Sequence, residues 1–362
     1  MERIKFRSKN QNEQAFAKEV RQRVRTYFRE NHRSIQGNIK LYLKSVIMLG
    51  TYLVPFVILL AVPLHPLTAL GLTVLMGIGE AGVGMSVMHD GAHGVYSSKA
   101  WLNKLASSTM FLLGSNTFNW KIQHNIKHHT FTNIYKYDDD ISTKGVIRLC
   151  EHAPLRKYHR FQHIYAFPLY GLMTLLRLFG EITILLDLNR EGITKGQNVN
   201  PAVEVFRLII TKIVYLSVII GLPLWLTDFS IWQVLIGFAT MHVVAGIIMS
   251  TVFQMAHVVE GTYQPFPDEH NVIPTEWFVH QLWATSDFGR KNGLFSWYIG
   301  GLDYQIEHHL FQNVSHVHYP VIAPIVEKTA KEYGFTYNLK STVFHALGSH
   351  YRRLKRLGRY QM

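Results

Sequence analysis

The sequence predicts an all-α integral membrane protein with four transmembrane helices, and three observations carry that prediction. Of the 362 residues, 48% are apolar and only 17% charged, below the roughly 25% usual for soluble globular chains. Four apolar runs are long enough to cross a hydrocarbon core of about 30 Å as helices. The remaining segments are rich in Lys and Arg, and the formal charge is +13. This composition excludes a disordered chain and disfavours an ordinary soluble enzyme.

The elements follow in order. Residues 1–40 form a basic arm carrying Arg21, Arg23, Arg25, Arg29 and Arg33, without the apolar core of a secretory signal, so the arm is expected to stay cytoplasmic. The first span is 41–64, charged only at Lys44. After the link His65-Pro66-Leu67, the second span is 68–88, interrupted by Glu80. The third, 206–226, has Arg207 and Lys212 early; the fourth, 231–253, contains His242; Thr227-Asp228-Phe229-Ser230 joins them. Neither link holds Lys or Arg, whereas the arm, the region 89–204 and the segment after Phe253 are rich in both. The positive-inside rule then places those three regions, and both termini, in the cytoplasm. Glu80 and His242 lie at similar depth, about 13 to 17 Å from the cytoplasmic ends at 1.5 Å per residue, where an ionisable group is costly unless paired or wet. They are a candidate intramembrane pair. The apolar segment 164–188 carries Arg177, Glu181 and Asp187 and reads as a helix lying at the interface or packed under the cytosolic part, not a fifth span. Residues 341–362 form a basic tail, and no repeat or flexible linker separates a second domain from the stretch 41–340. The positive charge suits an anionic partner. Nucleic acid is disfavoured because the basic residues flank spans and form no nucleic-acid-binding module, leaving a phospholipid surface or an acidic protein.

Twenty histidines stand against one cysteine, Cys150, so a metal would be held by imidazoles or carboxylates. Three clusters stand out: His89-Asp90-Gly91-Ala92-His93, His124-Asn125-Ile126-Lys127-His128-His129, and Gln305-Ile306-Glu307-His308-His309. Residues four apart share a helix face, so His89 with His93, and His124 with His128, can converge on one ion. The adjacent pairs His128/His129 and His308/His309 point about 100° apart, which suits ligands reaching two neighbouring ions. Imidazole serves iron, copper, nickel or zinc, and the donors exceed what one tetrahedral zinc uses. Each cluster alone is weak evidence in a histidine-rich chain. A topology derived without the histidines nevertheless places all three in one compartment.

These three motifs, in this order, resemble the histidine boxes of the membrane fatty-acid desaturase family. The flanks His129-Thr130-Phe131-Thr132-Asn133 and His309-Leu310-Phe311 extend the likeness, with Gln312 where many members carry proline. So does Gln254-Met255-Ala256-His257 after the fourth span. The resemblance implies four transmembrane helices plus a helical cytosolic cap holding a histidine-ligated diiron site, with O2 as co-substrate and no bound haem or flavin. It implies His89, His93, His124, His128, His129, His257, His308 and His309 as metal ligands. Gln305, Asp90 and Asn133 are expected around the metals, with Glu307 as a further residue able to orient imidazoles. His316 and His318 are expected to orient ligands or line the acyl pocket, and His152, His159 and His163 to be surface residues beside Arg156, Lys157 and Arg160. Trp277-Phe278, Phe295-Ser296-Trp297-Tyr298 and Phe118-Asn119-Trp120 are candidates to line an acyl tunnel.

Gln305 departs from the histidine that many members carry there and resembles the front-end subgroup, which desaturates between the carboxyl end and an existing double bond. Many of those enzymes contain a His-Pro-Gly-Gly haem motif, which does not occur in this sequence. A separate donor, ferredoxin or free cytochrome b5, is therefore expected to dock on a basic face including Lys127, Lys136, Arg290 and Lys291. The substrate is expected to be a long-chain acyl lipid or acyl-CoA, and the arrangement is most similar to bacterial and cyanobacterial Δ6-type acyl-lipid desaturases. Two alternatives stay open: a lipid or hydrocarbon hydroxylase using the same boxes, and a metal transporter. The transporter would place its ligands near the bilayer midplane, where only Glu80 and His242 lie.

Overall fold

The computed structural model describes residues 4–143 and 145–360. The first three residues of the basic arm, the last two of the tail, and residue 144 lie outside the described residues. The chain divides into a spanning unit, Asn38–Ile122 with Phe167–Ser250, and a polar unit, Met1–Gly37 with Gln123–Ala166 and Thr251–Met362.

Four helices are long and apolar enough to cross a membrane: Ile39–Ala61, Pro66–His93, Pro201–Leu226 and Ile231–His257. The last three contain the predicted spans 68–88, 206–226 and 231–253 and extend past them mainly at polar ends, which hydropathy does not register. The first stops at Ala61, short of the predicted 64, because Val62 turns extended ahead of Pro63. The third begins at Pro201, ahead of the predicted start, because the Asn200 side chain accepts the Ala202 amide and a proline needs no donor at the first helical position. The second runs through a π-helical segment, Val83–Met88, into His89–His93 before Gly94 ends it in the left-handed conformation, φ 75°. Hence His89 and His93 occupy the last turn of a spanning helix, and His257 ends another. A Cβ on Gly79 would lie 2.5 Å from the Tyr52 amide nitrogen, so the first two spans approach as only glycine permits.

Glu80 and His242 are fully buried with Oε1 3.5 Å from Nδ1, while the Tyr215 hydroxyl lies 2.9 Å from His242 Nε2. The helix expected over 164–188 is broken. Lys157–Tyr170 and Met173–Arg190 meet at an 84° bend, and Leu176 and Phe179 of the second piece face outward. Glu181 points inward: Lys212 Nζ lies 2.6 Å from its Oε2 and 2.6 Å from the Gly114 carbonyl, Ser115 Oγ donates to Oε1, and the Asn119 amide donates to the Glu181 carbonyl.

In the polar unit, the segment read as a basic arm is helical over Gln11–Glu30. Asn10 caps it, its arginines lie on the outer face or in ion pairs, and Phe16, Ala17, Val20, Val24 and Phe28 pack with Leu282, Ile306, Ile322 and Val326 in one core. Such burial stabilises by about 1.5–3 kcal/mol for each large side chain. Buried Glu13 accepts the Thr275 hydroxyl and the Glu276 amide, tying this helix to the chain before Trp277–Ala284. Two short parallel pairings, Lys5–Phe6 with Val272–Ile273 and Asp287–Phe288 with Leu339–Lys340, are the strand elements among the described residues. The tail is helical over Val343–Leu357, with Ala346, His350, Leu354 and Leu357 buried.

Candidate metal centre

Six of the predicted ligands converge in the polar unit. His124 and His128 lie on the π-helical segment Ile122–His128, His129 starts the turn after it, His257 ends the Ile231–His257 helix, and His308 and His309 sit on the short helix Gln305–Leu310. Ring centroids are 4.7 Å apart for His128 and His257, 4.9 Å for His128 and His309, 4.6 Å for His129 and His308, and 5.7 Å for His124 and His308. Two groups of three could each hold an ion: His128, His257 and His309, and His129, His308 and His309. His124 and His128 form a further group with Asp140.

The residues fit a metal. His128 Nε2 is buried and has no hydrogen-bond partner among the described residues, and the same holds for Gln305 Oε1. A buried acceptor left this way costs about 1–3 kcal/mol unless a cation or proton occupies it. Six imidazoles at these separations cannot all be protonated, and neutral imidazole is the form that ligates metal.

The opposite ring nitrogens are held from outside the boxes. His128 Nδ1 lies 3.1 Å from Asp138 Oδ2, which also accepts the Asn133 amide at 2.8 Å. Burial disfavours protonation of His128, but the Asp138 and Asp140 carboxylates together outweigh it and raise the ring's pKa. His308 Nδ1 lies 3.1 Å from the Tyr319 hydroxyl, and His309 Nδ1 lies 2.9 Å from Gln281 Oε1. Metal-bound imidazoles commonly use such partners to fix tautomer and orientation. Sequence reasoning missed Asp138, Gln281 and Tyr319. Of the three, only Asp138 carried a signal, the acidic run Asp138-Asp139-Asp140 shortly after the second box.

The other predicted residues are placed as follows. His89 and His93, in the spanning unit, have ring centroids 4.7 Å apart and lie edge-on to Trp120 at 5.7 and 5.9 Å. Asp90 is buried with its carboxylate 3.8 Å from His89 Nδ1, beyond hydrogen-bond range. Asn133 adopts φ +59°, and its side chain donates to the carbonyls of His257 and Ala284, so it anchors main chain and reaches the rings only through Asp138. Glu307 accepts the Tyr337 hydroxyl at 2.9 Å; burial, then the charge of Asp287, pushes its carboxyl well above the usual range. His318 bonds the Gln36 carbonyl at 3.0 Å.

Two expectations are corrected. His159 and His163 are buried, not surface residues: His159 Nε2 donates to the Gly145 carbonyl and His163 packs edge-on against Tyr351, while His152 is exposed as expected. Of the residues expected on a basic face, Lys127 pairs with Asp139 at 3.0 Å and Arg290 with Glu327 at 2.7 Å, while Lys136 and Lys291 are exposed. Phe278 belongs to the core and stacks under Arg21, so it does not line a tunnel.

Four helices able to span a membrane and a cluster of histidines able to hold metal are the marks of a histidine-box membrane protein. The fatty acid desaturase family model matches residues 64–341, and the chain belongs to that family. It is 34% identical to the sn-1 linoleoyl-lipid 6-desaturase of Synechocystis sp., covering 99% of this chain and 98% of that one. The enzyme of the same description from Arthrospira platensis is 31% identical, with 94% and 92% covered. The acyl-lipid (8-3)-desaturase of Physcomitrium patens is 34% identical over 94% of this chain and 71% of its own. The chain is therefore an oxidoreductase that introduces double bonds into fatty acyl chains.

Proposed function

We propose that the chain is an oxygen-dependent front-end acyl-lipid desaturase that inserts a cis double bond at Δ6 of an 18-carbon chain already carrying one. The packing of six imidazoles from three separate segments into one cluster, five of them buried and His124 partly so, carries the chemistry. The bond position rests on Gln305 and on the 6-desaturase activity named for two of the relatives. In this reading His124, His128, His129, His257, His308 and His309, together with His89 and His93, hold two iron ions, with Gln305 as a direct or water-mediated contact. Iron bound there supplies, with O2, an oxidant strong enough for an unactivated methylene, which no side chain provides. The reaction takes up one O2, two electrons and two protons, removes two hydrogens from the acyl chain and releases two waters. The protein's residues fix the rings, and the burial around them excludes water that would otherwise quench the oxidant.

The domain proper is 41–340, with the catalytic cap and both termini cytoplasmic. Electrons come from a separate ferredoxin or free cytochrome b5. The test is expression in a host lacking polyunsaturated lipids, fed separately with saturated, monounsaturated and diunsaturated acids, followed by mass-spectrometric location of the new bond. Insertion on the carboxyl side of an existing bond is expected. A hydroxylated product would replace the desaturase outcome with hydroxylation. A bond placed only toward the methyl end would overturn the front-end assignment.

A further inference from the structure

Gln281 belongs to none of the three boxes. It is fully buried on the helix Trp277–Ala284 and makes three contacts that bear on the histidine cluster. Its Nε2 donates to the His129 carbonyl at 3.0 Å; its Oε1 lies 2.9 Å from His309 Nδ1 and 2.8 Å from the Thr132 hydroxyl. The preceding residue, His280, lies with Nε2 2.9 Å from the Thr132 carbonyl, so one helix grips the exit of the second box through two successive side chains.

The amide's orientation follows from its partners. Rotated by half a turn, the amide oxygen would face the His129 carbonyl, acceptor against acceptor in a buried place. With Nε2 committed to that carbonyl, Oε1 faces His309, and an amide oxygen only accepts. The Thr132 hydroxyl also lies 3.2 Å from His309 Nδ1, but its hydrogen goes to the His128 carbonyl at 2.7 Å, so His309 Nδ1 carries the hydrogen and the lone pair is left on Nε2.

We infer that Gln281 is a positioning residue that selects the metal-binding tautomer of His309 and ties the second box to the third through one amide. The inference rests on the diiron reading above. It predicts an asymmetry between the two halves of the amide: the oxygen sets the ligand, whereas the nitrogen only holds main chain.

The test uses the full-length protein in detergent and compares Gln281→Met, which removes both halves, with Gln281→Glu, which keeps an acceptor opposite His309 Nδ1. Bound iron is counted after reconstitution with ferrous iron, and cobalt(II) is titrated while following its visible absorption. Helix content is checked by circular dichroism. Gln281→Met is expected to weaken cobalt binding at one of two sites by about 10–100-fold, the range for lost ligand partners. Gln281→Glu is expected to stay within a few-fold of the parent. Parental cobalt affinity in Gln281→Met overturns the inference. So does a folded Gln281→Glu that loses metal, which decides the matter even if Gln281→Met fails to fold. Fewer than two metals on the parent protein would instead refute the diiron reading.

Discussion

Replacing Lys212 with methionine should destabilise the spanning unit more than replacing both members of its ion pair. At an effective dielectric of about 20, unit charges 2.6 Å apart attract by about 6 kcal/mol. Desolvation takes back several kcal/mol per ion, so the intact pair is close to neutral overall. Removing Lys212 alone leaves the Glu181 carboxylate fully buried, with Ser115 donating to it, and should cost about 3–5 kcal/mol. In the double variant Lys212→Met, Glu181→Gln, the amide still accepts from Ser115, and the Gly114 carbonyl is the group deprived of its donor, costing about 1–3 kcal/mol. The difference, about 2 kcal/mol, is the excess cost of leaving the Glu181 carboxylate buried without its counter-charge. The assay is thermal unfolding in detergent at one fixed scan rate, since irreversible unfolding makes the midpoint rate-dependent. At about 2 °C per kcal/mol for a chain of this size, the single variant should lose about 6–10 °C and the double about 2–6 °C. A neutral single variant, or a double variant that falls as far as the single, would refute the reasoning.

Acid should weaken the polar unit through His350 and His280, whose rings burial pushes from 6.5 down to about 4 while each donates to a carbonyl. The unfolded chain binds these protons near pH 6.5 and the folded chain only near 4, so stability falls as pH drops through that window; His350→Gln should remove up to about one proton from the slope, and an unchanged slope contradicts the assignment. Gln305→Ala should impair desaturation more than Gln305→His, which restores a nitrogen ligand; equal activities would deny Gln305 any contact with the metals. Cysteines placed beside His124 and His308 should be modified from the same face of sealed vesicles, and labelling from opposite faces would break the topology.

The spans and the boxes were legible because each is written in a contiguous stretch: apolar runs of adequate length, and histidines at helical spacing. What was not legible depends on partners distant in sequence. His159 stands among Arg156, Lys157 and Arg160 and resembles a surface residue. Its burial follows from the Gly145 carbonyl that receives its Nε2 hydrogen. The N-terminal helix did carry a signal, with Phe16, Val20, Val24 and Phe28 recurring every fourth residue. The density of arginine drew the eye to charge instead, although those arginines occupy the opposite face. Glu181 shows the reverse error. A carboxylate on an apolar helix suggests a wet face until Lys212, far along the chain, supplies its counter-charge.

Box spacing also leaves open which ring nitrogen faces a metal and how strongly it donates. Those properties come from Asp138, Gln281 and Tyr319, and the three are chemically unequal. A carboxylate behind His128 increases the basicity of its Nε2 more than the neutral amide behind His309 or the phenol behind His308. Since His309 carries a single lone pair once Gln281 holds its Nδ1 hydrogen, it can complete the His128–His257 group or the His129–His308 group, but not both at once. A metal held beside His128 would therefore meet an imidazole backed by a carboxylate, whereas one held beside His308 would meet an imidazole backed by a phenol.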